Sequence, residues 1–168
     1  MPEFKPKELE RLREIAALRL GEAIDDDELE ALVERAAKEL DLPLAAVSIV
    51  LDQAQYFVAS HGFDGGWIGA ARGTPIEWSF CRHAVDSRAP FIVEDAVEHP
   101  LTQDNPLVHN DAVRAYLGVP LITSGDQAIG ALCVIGSENR HFSMADVGRL
   151  TELADELLPL LEARREHA

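Results

Sequence analysis

The chain has 168 residues, 47% of them hydrophobic, with 15 Lys and Arg against 30 Asp and Glu, a formal net charge of −15. A chain of this length buries a core of its own without staples. The acid excess speaks against nucleic acid or an anionic membrane surface as the main partner, because gripping phosphates takes clustered Lys and Arg. No apolar run reaches the ~18 uninterrupted residues of a membrane span. The start, MPEFKPKELE, lacks the apolar core of a signal peptide. A cytoplasmic protein, or the cytoplasmic piece of a larger one, is expected. Cys81 and Cys133 are then free thiols, and neither sits in a zinc-type spacing.

Residues 7–20 predict a first helix, with Leu9, Leu12, Ile15 and Ala16 on one side. Gly21 is a natural stop. Residues 25–40 predict a second, because Leu29, Leu32, Val33, Ala36, Ala37 and Leu40 form one stripe. Asp25, Asp26 and Asp27 cap its start and suit the helix dipole. LAAVSIVL (44–51) reads as a buried strand, and QYFVASHG as its hairpin partner. FDGGWIGAARG is a Gly-rich loop. SFCRHAVDSR predicts a short helix capped by Ser79, and PFIVEDA a short strand. HPLTQDNPLV is loop plus one turn, where Asn105 precedes Pro106 as a cap precedes proline at the first helical position.

AYLGVPLIT and AIGALCVIG are strands joined by SGDQ. Pro120 demotes the first to an edge or bulged position. Ser143 with Asp146 forms a capping box for the last helix. Its stripe is Met144, Val147, Leu150, Ala154, Leu157 and Leu161. Pro159 is expected to kink or weaken its last turn.

Hairpins at both ends and helices at the termini make this an α+β chain, a central antiparallel sheet of five or six strands flanked by helices. No repeat and no linker divides it. One domain over residues 1–168 is expected: N-terminal helices over 1–41, sheet and pocket region over 44–142, and the C-terminal helix over 143–168.

The segment from Ser79 to Arg114 concentrates chemistry-bearing residues in irregular structure, where binding and catalysis gather. With its neighbours it supplies the candidates Trp67, Trp78, Phe80, Cys81, His83, Asp95, Asn105, His109, Arg114 and Tyr116. Cys81 stands near a helix start, which lowers a thiol's pKa. A small buried hydrophobe is the plainer role for it, and Cys133, mid-strand, reads as inert core. His83, His99 and His109 lie on separate segments, and no spacing among them and Asp95 or Asp104 matches a metal motif. His99 before Pro100 reads as a turn residue. Two Trp near a Gly-rich loop suit an apolar pocket wall. Arg114 reads as one half of a loop-holding ion pair, with Asp95 a candidate partner. Leu153, Leu158 and Leu160 give the last helix more apolar surface than one face needs. That surface suits either a partner helix or burial on its own sheet.

These pieces carry a resemblance. SFCRHAV, PFIVEDAVEHP, DNPLV, VRAYLGVPL, IGALCVIG and NRHFS stand in the order and spacing of a bacterial subgroup of GAF domains, small-molecule sensor modules of signalling proteins. The resemblance spans most of residues 44–155. It implies a pocket between one sheet face and residues 67–114, with the terminal helices together on the opposite face, often as a parallel dimer. It leaves the ligand unknown. Haem or a non-covalent pigment is allowed. The Cys–His attachment site of bilin-binding relatives is absent from NPLVHNDAV, and so is the NKFDE set of the phosphodiesterase GAF domains. The expected function is a non-catalytic sensory or binding module, a homodimer taking a small ligand. The alternative is a thiol-based redox sensor, or an enzyme like the free methionine-(R)-sulfoxide reductases of this family, using Cys81.

Overall fold

A computed structural model of the chain describes residues 6–20, 26–62, 72–110 and 113–165. Helix α1 (Pro6–Ala17) ends in a turn that buries Leu18 and Leu20 completely. Helix α2 (Asp27–Glu39) opens on Asp26, whose carboxylate accepts from the amides of Glu28 and Leu29. This satisfies two of the four amides that every helix start leaves unpaired. Strands β1 (Leu44–Val50) and β2 (Ala54–His61) form the expected hairpin. Gly21 and Asp25 lie outside the described residues.

Strand β3 (Gly73–Pro75) adds to the outer edge of β2 and begins on the last glycine of the expected Gly-rich loop. Gly73 is required there, since a Cβ would sit 2.3 Å from the Gln55 carbonyl oxygen. A 3₁₀ turn (Ile76–Trp78), helix α3 (Cys81–Ser87), strand β4 (Phe91–Val93) and helix α4 (Pro106–Asn110) follow. Strands β5 (Ala115–Ile122) and β6 (Ala128–Gly136) lead to helix α5 (Met144–Glu162). The result is one antiparallel six-stranded sheet in the order β3-β2-β1-β6-β5-β4, an α+β fold with five α-helices among the described residues.

Two details correct the sequence expectations. Strand β5 lies between β6 and β4, so it is not an edge along its length. Strand β4 pairs only as far as Gly118, opposite Phe91. Pro120 therefore sits where that flank is already open, and its missing N–H leaves no ladder bond unmade. The register shift falls just after, between Leu121 and Ile122. In α5 the Ser143–Asp146 capping box is present, and the helix runs through Pro159 to Glu162. Met144, placed at the head of the apolar stripe, is 91% exposed. It occupies the first helical residue, ahead of the turn that meets the sheet.

Helices α1, α2 and α5 all pack on one sheet face. Their core joins Ile15, Val33, Leu150 and Leu157 to Val47, Ile49, Leu117, Val119 and Leu132. The C-terminal end of α5 is clasped to α1. Glu14, almost buried, accepts from Thr123 Oγ1 at 2.7 Å and pairs with Arg165. The Arg164 guanidinium reaches the Arg19 carbonyl at 2.9 Å. Of the three leucines added to the stripe, Leu153 is fully buried, while Leu158 and Leu160 are partly covered by the same core.

Candidate functional site

The other sheet face is covered by α3, β4, α4 and their connections. Strand alternation sends different residues to it. Where the helix face takes Val47, Ile49, Leu132 and Val134, this face takes Ala46, Ser48, Ala131 and Cys133. The floor is built of small side chains. Aromatic rings descend onto it: Phe80 meets Tyr116 edge-on with centroids 5.2 Å apart, and Phe91 lies 5.7 Å from Tyr116. His83 and His99 flank Phe91 at 4.8 and 5.4 Å.

Tyr116 owes its place to Gly118. Two residues apart on one strand, they share a face, and a Cβ at Gly118 would lie 2.0 Å from the phenol oxygen. The ring thus lies over the glycine, whose partner across the ladder is Cys133. The Tyr116 hydroxyl donates to Cys81 Sγ at 2.9 Å. The Cys133 thiol donates to the same sulfur. Burial pushes the Cys81 thiol up, but these hydrogen bonds, with a contribution from Ser48, outweigh it and leave its pKa below the usual range. Cys133 is pushed well up, first by donating to Cys81 and then by burial. Burial, followed by the negative charge of Cys81, also raises Tyr116.

A buried polar seam continues from the thiols. Gln55 Oε1 accepts from Ser48 Oγ at 3.0 Å and from Ser79 Oγ at 2.7 Å, while its amide donates to Thr74 Oγ1 at 2.7 Å. All four residues are buried. Ser79 also accepts from the Arg82 amide at 3.1 Å. It thus serves the start of α3 as expected, although the helix proper begins at Cys81 and Phe80 occupies the residue before it. The Arg82 guanidinium has its Nε buried without a hydrogen-bond partner. His83 is held below the ordinary imidazole pKa by burial and then by Arg82.

The remaining candidates serve the loops. Asn105 Oδ1 accepts from the Leu107 amide at 2.9 Å and its Nδ2 donates to the Trp78 carbonyl at 3.2 Å, tying α4 to the 3₁₀ turn. Asp95 accepts from the Val97 amide and from Asn139 Nδ2. His109 is exposed and its Nε2 lies 2.6 Å from the Gln103 carbonyl. His99 is a turn residue, its Nδ1 accepting from the Leu101 amide. Arg114 meets two carbonyls, Val108 at 2.7 Å and Val113 at 3.0 Å, in place of the expected ion pair with Asp95. Trp67 lies outside the described residues. Phe80, Cys81 and Tyr116 are in direct contact, with His83 bordering them through Phe91. Asp95, His109 and Arg114 hold the surrounding chain instead. Sequence reading missed Gln55, Ser48, Thr74 and Cys133. The one available signal was Ser48, a lone hydroxyl inside an apolar strand. Among the described residues no group of three His, Cys, Asp or Glu could hold a metal, and no helix is long and apolar enough to cross a membrane.

A six-stranded antiparallel sheet with helices on one face and short, irregular cover on the other is an architecture shared with solved GAF domains. The GAF domain family model matches residues 25–162, and the chain belongs to that family. It is 35% identical over 155 residues to a cyclic di-GMP phosphodiesterase of Pseudomonas aeruginosa, matching 91% of this chain and 25% of that protein. The chain thus spans about a quarter of the length of this curated relative. The blue-light absorbing form of the PixJ GAF domain of Thermosynechococcus elongatus superposes with a TM-score of 0.65 at 25% identity, over 92% of this chain and 89% of that one. The free methionine-R-sulfoxide reductase of Neisseria meningitidis, solved with its substrate, superposes with a TM-score of 0.66 over 98% and 95% of the two chains, at 19% identity. That last likeness concerns the fold alone.

Proposed function

We propose that the chain, taken as one domain over residues 1–168, is a non-catalytic sensory module. A small molecule bound under α3, β4 and α4 acts on the terminal helices, which carry the change to a second copy. The observation that carries this reading is the asymmetry of the sheet. One face is filled by large side chains under long helices. The other has a floor of Ala46, Ser48, Ala131, Cys133 and Gly118 beneath short elements, the setting in which ligand sites are built. The unpartnered Arg82 Nε favours a ligand with an acceptor or anionic group, because a buried donor gains most from a charged partner. The Pseudomonas relative, a cyclic di-GMP phosphodiesterase, supports a place in signalling. The terminal-helix dimer is supported by the incompletely covered Leu158, which with Pro120 and Ile122 lines a groove of about 250 Å³ beside α5. A cytoplasmic setting fits the free thiols.

The test is native mass spectrometry with a visible absorption spectrum of the purified chain. A dimer mass carrying an extra small molecule, released on denaturation, is expected. A bare monomer whose melting temperature is unmoved by nucleotides, haem, bilins and a metabolite library would sink the reading.

A further inference from the structure

The two cysteines are far apart in sequence and adjacent in space. Cys133 projects from mid-β6 onto the lid face, across the ladder from Gly118 and beside the Tyr116 ring that lies over that glycine. Cys81 opens α3, which packs on β6, and lies in the same buried cluster as Cys133. The two thiols are close enough to perturb one another's titration, and the Tyr116 hydroxyl donates to Cys81 Sγ at 2.9 Å. Both residues are free thiols. We propose that Cys81 and Cys133 are a reversible dithiol–disulfide site, oxidised by hydrogen peroxide or a small organic hydroperoxide, with Tyr116 positioning the attacking sulfur.

The chemistry balances without any other group. The Cys81 sulfur attacks one peroxide oxygen. An S–O bond forms, the O–O bond breaks, and the departing hydroxide, or alkoxide from an organic hydroperoxide, takes up the proton the thiol released on ionising and leaves as water or the alcohol. Cys81 is now a sulfenic acid. The Cys133 sulfur then attacks it, an S–S bond forms, the S–O bond breaks, and the hydroxyl leaves with the Cys133 proton as water. Two thiols have lost two electrons to one peroxide. The donors around Cys81 divide the roles. The sulfur that accepts the Tyr116 hydrogen bond is the better thiolate and attacks the peroxide, and Cys133 resolves. Both sulfurs are buried, so the oxidant enters by local opening of α3. That helix has seven residues, and a segment this short opens locally at a lower cost than unfolding the whole domain. A disulfide there ties α3 to β6 and fixes the cover of the site to its floor.

The whole chain is treated with hydrogen peroxide, denatured in N-ethylmaleimide and weighed intact. The expected product has lost two hydrogens, takes up no maleimide, stays monomeric on a non-reducing denaturing gel, and regains both thiols with dithiothreitol. Two maleimides on the treated protein, a chain–chain disulfide, or a Cys81 sulfinic acid beside a free Cys133 would each overturn the proposal. In Cys133→Ser the expected product is a Cys81 sulfenic acid captured by dimedone. No capture at Cys81, in a variant whose circular dichroism is native, counts against it. Tyr116→Phe keeps the ring and removes one hydrogen bond to a charged sulfur, so oxidation slows about tenfold. A rate within about twofold of the parent, at unchanged circular dichroism, would remove Tyr116 from the site.

Discussion

The two faces of the sheet are made by the same strands and do different work. Leu117, Val119 and Leu121 alternate with Tyr116 and Gly118 along β5. The first set enters the apolar core under three helices. Tyr116 and Gly118 lie under short cover, beside two thiols, the hydroxyls of Ser48 and Ser79, and a buried amide. Large interlocking side chains give the helix face its stability. The lid face trades that volume for groups that need exact partners, since each buried polar group costs free energy unless it is bonded. Stability and chemistry are thus separated by one strand thickness.

The comparison is sharpest in the stability of point variants. The largest loss is expected on the helix face. Leu117→Ala and Leu150→Ala should each cost about 3 kcal/mol in urea unfolding, because a fully buried leucine leaves a cavity that long helices do not fill. Cys133→Ala on the lid face should cost only about 1 kcal/mol. Equal losses on the two faces would break the contrast.

Gln55→Ala should come next, at about 2 kcal/mol, because it takes the shared partner from the buried hydroxyls of Ser48, Ser79 and Thr74. Gly118→Ala should cost about 1–3 kcal/mol by forcing the Tyr116 phenol off its site. Near-ultraviolet circular dichroism should report the moved ring, and an unchanged spectrum would contradict the placement of Tyr116.

Smaller and pH-dependent is the clasp between α1 and the end of α5. The hydrogen bond from Arg165 holds the Glu14 carboxyl below its ordinary value of 4.5, against the opposing effect of burial. A depressed carboxyl pKa stabilises the folded state above the unfolded pKa, and that stability is lost as pH falls through the folded value. Glu14→Gln should therefore cost about 1 kcal/mol at pH 7, and the difference from the parent should shrink as pH falls below 4.5. A gap that persists in acid would mean the loss is steric. Smallest of all, Met144→Ser should leave stability within about 0.5 kcal/mol, since its side chain lies in solvent.

Much of the helix face was legible in sequence because its periods are local. The 3.6-residue stripe of α2, its Asp26 cap and the Ser143–Asp146 capping box of α5 need only near neighbours in the chain, and they appear where the pattern placed them. Met144 departed from its stripe for a local reason as well: a helix's first residue precedes the turn that touches the sheet. The lid face was read less well. Strand β3 is three residues long, too short for any period to show. The partner of Arg114 turned out to be backbone carbonyls, which no residue pattern announces.

By itself the sequence determined the α+β class, the hairpins, the caps, the stripes of α2 and α5, and the ordered motifs of the GAF family. All of these are written in residue type and short spacing. Only the tertiary structure decided what the lid face contains. The sheet order brings β6 beside β1 and β5 and folds α3 over both. That closure sets Cys81 against Cys133, lays Tyr116 over Gly118, and gathers Ser48, Gln55, Thr74 and Ser79 into one seam. Contacts between residues distant in the chain depend on register and on which side chains are small. The physics of packing sets those, and no local pattern records them.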